Sequence, residues 1–338
     1  MELVHPNGKR SVLNWLYTGM AMIFIMVAIG GITRLTESGL SITTWDPISG
    51  AIPPLKAEDW NQLFEKYKSS PEYIHKNIGM SLSEFKSIFW WEWIHRQWGR
   101  LIGIVFLIPF VLFWRRGYFK PGIRPHLLGI FVLGGLQAFF GWYMVHSGLV
   151  HEPRVSHYRL ALHLSTAFAS ISWIWWLALS IRGKVVAYRP PELKPWLYGS
   201  AVLLVLQIIL GAFTAGKDAG HASDQWPMWV DGQFTPSTND FELNWLWNNE
   251  SWIQFVHRSF AYLVVLSFIT TAWKAHGLRW RHPAIGAMPW IILLQFLLGV
   301  LTVMSGVNLS LALLHQLLAL LLLLAVVYAL HPGKRGIK

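Results

Sequence analysis

The chain has 338 residues, of which 54% are hydrophobic and only 13% are charged, and its formal net charge is +11. Soluble domains carry about 25% charged residues, so this composition argues against a soluble nucleic-acid binder and excludes a disordered chain. The chain has no cysteine, which excludes disulfides, zinc–thiolate sites, iron–sulfur clusters and thiol catalysis. An integral membrane protein remains, with no nucleic acid among its expected partners.

Eight apolar stretches of about 20 residues are long enough to cross a bilayer as helices. They lie at residues 12–31, 94–113, 126–146, 160–181, 196–215, 254–273, 284–304 and 309–330. The long loop 32–93 separates the first two, and within it Ala57–Lys68 and Ser81–Trp91 are predicted short amphipathic helices. Gly30-Gly31 and Gly134-Gly135 are interpreted as positions of close helix packing. The predicted fold class is all-α, with eight transmembrane helices.

Charge is divided unequally between the two sides of the membrane. With the N-terminus inside, the inner segments hold 16 Lys/Arg and 2 Asp/Glu, whereas the rest of the chain holds 12 and 15. These inner segments are residues 1–11, 114–125, 182–195, 274–283 and 331–338. Because Lys and Arg near membrane spans stay on the cytoplasmic side, both termini are expected in the cytoplasm.

The two halves of the chain resemble each other. Residues 137–149 align with residues 295–307 at an offset of 158, with five of thirteen positions identical. Further matches pair Ile94-His95-Arg96 with Val256-His257-Arg258, Leu162-His163 with Leu314-His315, and Gly30 and Trp45 with Gly211 and Trp226. Four spans per half is an even number, so both halves cross in the same direction, related by an approximate two-fold axis along the membrane normal. We therefore predict two pseudo-symmetric four-helix bundles, residues 1–181 and residues 182–338.

Four histidines lie inside predicted spans, where an ionisable group is costly and usually functional. They are His95, His163, His257 and His315, one in each span that runs from the outer to the inner face. We expect all four near the outer face at a similar depth, as one pair per half. Two facing histidines of a helix bundle can hold a heme iron through both axial positions. Zinc, the competing metal, prefers four ligands, and few carboxylates accompany these histidines.

Three arginines accompany the histidine pairs. Arg96 and Arg258 each directly follow a pair member, and Arg100 lies one turn beyond Arg96. Near the outer surface, arginines beside a heme could bind its propionates through charge-assisted hydrogen bonds. The alternative is that their side chains simply extend to the membrane interface.

One glutamate distinguishes the two halves. Glu92 lies three residues before His95 and shares its helix face, whereas the matching residue before His257 is Gln254. An acid in only one half indicates a chemical role there, as a proton acceptor or as a stabiliser of developing positive charge. The alternative is a solvated or interfacial glutamate.

Two stretches of the sequence carry a family resemblance. The run Gly30–Ser41, continuing to Trp45 and Pro53-Pro54, resembles the first outer loop of heme A synthases, as does Glu84-Phe85-Lys86 followed by Glu92–Leu101. The four histidines, the eight spans and the repeat fit the same family over essentially the whole chain. In having no cysteine, the chain resembles the subtype of the family that proteobacteria and mitochondria share. The resemblance therefore implies a protein of the bacterial inner (plasma) membrane.

Members of that family oxidise the C8 methyl group of heme O to a formyl group, which gives heme A for cytochrome oxidase. The resemblance implies an oxidoreductase that performs two successive hydroxylations, followed by loss of water. It implies a permanent heme b held by His257 and His315, and a substrate heme held by His95 and His163 with Glu92 beside them. The resemblance leaves open the identity of the electron donor, a contact with heme O synthase and the formation of a homo-oligomer.

Two other functions compete with this one. A di-heme b electron carrier, such as a quinol-linked membrane cytochrome, would also need four axial histidines. Such carriers usually place their hemes near opposite faces, whereas these four histidines are expected at one depth. A transporter with two repeats usually has its site near the midplane, between broken helices, which the spans do not indicate. Heme A synthase is therefore the leading hypothesis.

Overall fold

A computed structural model describes residues 2–44, 49–149, 154–183, 189–237 and 241–332. Trp45, one of the repeat matches, lies outside the described residues. The α-helices are α1 (Lys9–Leu35), α2 (Ala57–Lys68), α3 (Pro71–His75), α4 (Leu82–Arg115), α5 (Arg124–Gly148), α6 (His157–Arg182), α7 (Lys194–Gly216), α8 (Trp245–Asn248), α9 (Glu250–Gly277), α10 (Pro283–Met304) and α11 (Leu309–Leu330). Eight of them, all except α2, α3 and α8, are long and apolar enough to cross a membrane. The predicted all-α membrane fold with eight spans is confirmed.

The second membrane helix begins earlier than its apolar stretch. The predicted short helix Ser81–Trp91 is not a separate element, because it continues without a break into α4. Ser81 caps this helix: its hydroxyl accepts from the backbone of Glu84, whose carboxylate accepts from the backbone of Ser81 at 2.8 Å. No glycine or proline follows before the apolar span, so nothing ends the helix there. The prediction of Ala57–Lys68 is confirmed, whereas the short helices α3 and α8 were not predicted.

The membrane helices pack as pairs that recur in the two halves. In the N-terminal half α1 packs on α4 and α5 packs on α6, and the matching pairs in the C-terminal half are α7 with α9 and α10 with α11. The helices α1, α6, α7 and α11 lie where the halves meet, because α1 and α7 each contact both α6 and α11. A two-fold relation between complete bundles stays a prediction.

Ion pairs between side chains near the ends of α1 and α7 also join the two halves. The guanidinium of Arg34 binds the carboxylate of Asp218 and the backbone oxygen of Ala215. Arg154 continues this network, lying 3.7 Å from Asp218 and 2.7 Å from Glu250. Arg34 belongs to the loop run that carries the family resemblance, and in the structure it links the N-terminal half to the C-terminal half.

A small helical cap, made of α2, α3 and the first turns of α4, stands on the N-terminal half. Its core consists of aromatic side chains, namely Trp60, Phe64, Tyr67, Phe85 and Phe89. Within the cap, the hydroxyl of Tyr67 donates to the buried carboxylate of Glu72 at 3.0 Å and accepts from Asn77 at 2.7 Å. Burial raises the pKa of Glu72 from its ordinary value of 4.5 to about 7.

This buried carboxyl makes the stability of the cap depend on pH. Because the folded-state pKa of Glu72 is raised, its neutral form is favoured, and stability present at acidic pH is lost as the pH rises towards about 7. Glu72→Gln should therefore slow proteolysis of the cap at about pH 8 and change it little at about pH 5. Glu58→Gln, which alters an exposed acid of α2, is the control for protease activity at each pH. Equal cleavage of all three proteins at about pH 8 would contradict the prediction.

Candidate functional site

Each of the four membrane histidines packs against a glycine of the preceding membrane helix. The distances from an ideal Cβ on the glycine to the nearest ring atom are 3.3 Å for Gly30 and His95, 3.1 Å for Gly141 and His163, 3.1 Å for Gly211 and His257, and 2.9 Å for Gly299 and His315. Any larger residue would have to push the ring or the helix away. Each glycine lies five to seven residues before the end of its helix, roughly 7–10 Å along the axis. The four rings therefore lie at a similar depth.

A glutamine one turn before three of these glycines holds the facing helix. Its side-chain amide donates to the backbone oxygen of the histidine, at 3.1 Å for Gln137 and His163, 3.0 Å for Gln207 and His257, and 3.0 Å for Gln295 and His315. The corresponding residue of α1 is Met26. The repeat alignment already contained this spacing, because it paired Gln137 with Gln295 and Gly141 with Gly299, but spacing alone assigned the glutamines no role.

The spacing of the C-terminal pair is compatible with a two-histidine metal site. The ring centroids of His257 and His315 are 6.5 Å apart and the rings are nearly perpendicular, at 88°. Nδ1 of His315 donates to the backbone oxygen of Gln295 at 3.1 Å, which leaves Nε2 as the electron-pair donor. Nδ1 of His257 is buried without a hydrogen-bond partner, which is costly unless a ligand satisfies the ring. A metal bonded at roughly 2 Å to one nitrogen of each ring fits this spacing.

The N-terminal pair is built in the same way on one side only. The ring of His163 is hydrogen-bonded to the backbone of Gln137, as that of His315 is to Gln295. His95 lies against Gly30, on a helix pair that has no glutamine at the corresponding position. Among the described residues, no group of three or more His, Asp and Glu side chains is placed to hold a metal ion.

Glu92 is neither solvated nor interfacial, because only 2% of it is exposed. One carboxylate oxygen accepts from the hydroxyl of Ser41 at 2.7 Å and from the backbone of Ile42 at 2.8 Å. The other accepts from Arg96, at 3.2 Å from Nε and 2.7 Å from Nη2. Glu92 therefore fastens the loop after α1 to helix α4 through its hydrogen bonds with Ser41 and Ile42, and the buried ion pair with Arg96 lies within α4 itself.

Gln254, its counterpart in the C-terminal half, also anchors an outer loop. It donates hydrogen bonds to the loop, whereas Glu92 accepts them. It is 1% exposed, and its amide donates to the backbone oxygens of Gly220 and Ser223 at 2.9 Å each. These residues belong to the loop after α7, which is the counterpart of the loop after α1. Both halves therefore anchor the outer loop at this position, and the negative charge of Glu92 is what sets the N-terminal half apart.

The arginines beside the histidines also bind the outer loops. The backbone oxygens that accept from them, at 3.0 to 3.4 Å, belong to Ile42 and Thr44 for Arg96 and to Pro227 and Met228 for Arg258. The guanidinium of Arg258 also lies 5.2 Å from the ring centre of Trp229. Arg100 is partly exposed one turn further along α4. Contacts of these three arginines with propionates stay a prediction.

The two glycine pairs differ in their surroundings. A Cβ on Gly31 would lie 2.9 Å from Leu313 and 3.1 Å from Gln316, as expected for close packing. A Cβ on Gly134 or Gly135 would meet nothing within 4 Å, because α5 is exposed there. The interpretation of Gly134-Gly135 as a packing contact is therefore wrong, since no helix of the described residues approaches that face.

Comparisons with known proteins cover nearly the whole chain. Residues 13–327, which run from α1 to α11, match the COX15-CtaA family, described as cytochrome oxidase assembly protein. The chain is 42% identical over 343 residues to the heme A synthase of Maricaulis maris, covering 98% of this chain and 99% of the relative. It is 46% identical over 334 residues to the heme A synthase of Rhodospirillum centenum, covering 96% and 88%. It is 40% identical over 338 residues to that of Flavobacterium johnsoniae, covering 96% and 98%.

The buried ion pair predicts a large effect of neutralising Glu92. Glu92→Gln keeps the side-chain shape but removes the negative charge that pairs with Arg96, and breaking a buried pair costs about 3–5 kcal/mol. Thermal unfolding of the purified protein should therefore begin at a lower temperature than in the wild type. The double variant E92Q/R96Q, which removes both charges, should recover part of the loss. A single variant as stable as the wild type would show that the pair contributes nothing.

Proposed function

This chain belongs to the heme A synthase (COX15-CtaA) family, and we propose that it is itself a heme A synthase, a membrane oxidoreductase that acts on heme O. It converts the C8 methyl group of heme O to the formyl group of heme A by two successive hydroxylations and loss of water. The observation that carries this proposal is the set of four glycine–histidine contacts, arranged as two pairs at one depth. One such pair is needed for a resident cofactor and one for a heme substrate.

We assign the resident cofactor, heme b, to His257 and His315. The ring spacing of 6.5 Å, the buried unpartnered Nδ1 of His257 and the cradle formed by Gly211 and Gly299 all support this assignment. Heme b bound between two histidines supplies one-electron redox chemistry. The protein's own contribution here is to orient the rings, with Gln207 and Gln295 fixing the backbone of each ligand.

We assign the heme O substrate to His95 and His163, with Glu92 as the catalytic group. Both oxygens of Glu92 already accept hydrogen bonds from the loop and from Arg96, so a role as a free proton acceptor is disfavoured. A fixed, buried carboxylate is better suited to stabilising positive charge that develops at the methyl carbon during oxidation. Its hydrogen bonds hold it in place, so little reorganisation is needed when that charge forms.

We further propose that both termini are cytoplasmic and that both heme sites lie near the outer face of a bacterial inner membrane. The helix ends far from the four histidines are joined by basic segments, such as residues 114–125 and 274–283. The long loop with the cap joins ends that lie close to the histidines. Positive charge near the spans supports a cytoplasmic location for these basic segments.

A quinol-linked di-heme carrier explains the same histidines less well. Its hemes would have to lie near opposite faces to move electrons across the membrane, whereas the four glycine–histidine contacts lie at one depth. It would also have no use for a difference in charge between Glu92 and Gln254.

Heme identification tests the proposed function directly. The protein is expressed in a host with or without a supply of heme O, and the extracted hemes are separated by reverse-phase chromatography. Heme A should accumulate only when both the protein and heme O are present. Extracts that contain only heme b and heme O, from cells in which the protein is folded, would rule the proposal out.

Two histidine variants test the division of labour between the halves. His257→Ala removes a cofactor ligand, so the purified protein should lose the Soret absorbance of tightly held heme b. His95→Ala should keep that absorbance and lose heme A formation, because only the substrate ligand is missing. His75→Ala, which changes an exposed histidine of the cap, should keep both. Loss of the same heme from the first two variants would contradict the assignment.

A further inference from the structure

The two halves differ in how one pair of their membrane helices meets. In the C-terminal half α9 and α10 pack directly on each other, whereas the backbones of the corresponding α4 and α5 make little or no close contact. We call the boundary between the two helices of each pair, α4/α5 and α9/α10, a seam. The α4/α5 seam borders the substrate site, since α4 carries His95 and α5 carries Gly141. The α9/α10 seam borders the cofactor site in the same way, through His257 and Gly299.

An aromatic group closes the α9/α10 seam. The rings of Tyr262 on α9 and Phe296 on α10 are 5.2 Å apart, measured between centroids. Trp226 covers both, because its ring lies 6.3 Å from Phe296 and its indole nitrogen donates to the hydroxyl of Tyr262 at 3.2 Å. Tyr262 and Phe296 lie about one turn deeper than His257 and Gly299. They therefore block the side of the cofactor site.

The repeat shows what stands in their place in the N-terminal half. At offsets of 162 and 158, Tyr262 corresponds to Arg100, Phe296 to Ala138, and Ile292 to Gly134. Ile292 is buried, whereas Ala138 and Gly134 are exposed. A Cβ on Gly134 would meet no atom of the described residues within 4 Å. Trp45, which corresponds to Trp226 at an offset of 181, lies outside the described residues.

Among the described residues, aromatic rings bridge α4 and α5 at the deep end of their seam. There the ring of Phe131 on α5 lies 5.0 Å from Phe106 and 4.7 Å from Phe110 on α4. Phe131 is ten residues from Gly141, which is roughly 15 Å along a helix axis. The described residues thus supply an aromatic bridge between the two helices far from the site and none beside it. The same stretches of both helices carry exposed apolar residues, including Leu101, Ile104, Leu136 and Phe139.

We propose that the α4/α5 seam is a lateral opening through which the substrate heme passes between the bilayer and the N-terminal site. The closed α9/α10 seam retains the resident heme. This inference rests on the proposed function, because only an enzyme that turns over a heme needs exchange at one site and retention at the other. The isoprenoid side chain of heme O is apolar, so it remains in the hydrocarbon of the bilayer while the macrocycle moves sideways into the site. Arg100 adds a positive charge at the seam that suits the propionates.

Closing the seam with the residues of the other half tests the proposal. The double variant G134I/A138F is purified in lipid nanodiscs, and uptake of added heme O is followed by the change in absorbance. Heme b should be retained, and heme O uptake should be slower by roughly tenfold or more, because passage then requires the helices to separate. The matched control is V132F, which enlarges an exposed residue of α5 two positions from Gly134 and should take up heme O at the wild-type rate. Uptake by G134I/A138F at the wild-type rate would overturn the proposal.

The reciprocal variant opens the other seam. Phe296→Ala should release heme b to apomyoglobin faster than the wild type, whereas Leu297→Ala, at an exposed neighbouring position, should not. This measurement decides the matter if G134I/A138F fails to fold, and unchanged heme b release from Phe296→Ala would then count against the proposal. Heme O uptake is measured without turnover, so failure of wild-type protein to form heme A would contradict the proposed function and leave the uptake comparison intact.

Discussion

The site depends on the close approach of paired membrane helices at a glycine, with an imidazole of one helix packed against the glycine of the other. In a bilayer the backbone must satisfy its own hydrogen bonds, so polar side chains have to be placed by helix packing and not by loops. A glycine at the contact leaves room for the ring, and in three of the four pairs a glutamine one turn away fixes the backbone of the histidine. The orientation of the rings is thus a consequence of helix packing.

A second device fastens the outer loops to this scaffold, and it also recurs. Glu92 and Gln254 occupy the same position relative to a histidine, and each binds the loop that leaves the preceding helix. Arg96 and Arg258, which follow the histidines, bind backbone oxygens of the same loops. Loop anchoring is therefore common to both halves, and the buried charge of Glu92 is an addition that anchoring does not require. In the proposed reaction this added charge belongs to the half that holds the substrate.

The sequence was informative wherever a property is local or repeats along the chain. Apolar stretches predicted the spans because a helix that crosses a bilayer must be apolar over its own length. The histidines were found because an ionisable group is conspicuous within such a stretch, and their similar depth followed from the direction of each span. The capping of α4 by Ser81 and the glutamine–glycine spacing are also visible in the sequence, although the glutamines acquire a role only when the facing backbone is known.

Other features depend on residues far apart in the chain, and only the tertiary structure decided them. Glu92 looked like a candidate interfacial acid until the fold placed Ser41, 51 positions away, against its carboxylate. Gly134-Gly135 looked like a packing motif, yet within the part of the chain that the structure describes no helix approaches that face. The neighbours of a helix are not encoded in its own periodicity. By itself, the sequence determined an all-α membrane protein with four histidines near one face. The structure decided which groups each polar side chain meets and which seam between helices is closed, because both depend on contacts between distant segments.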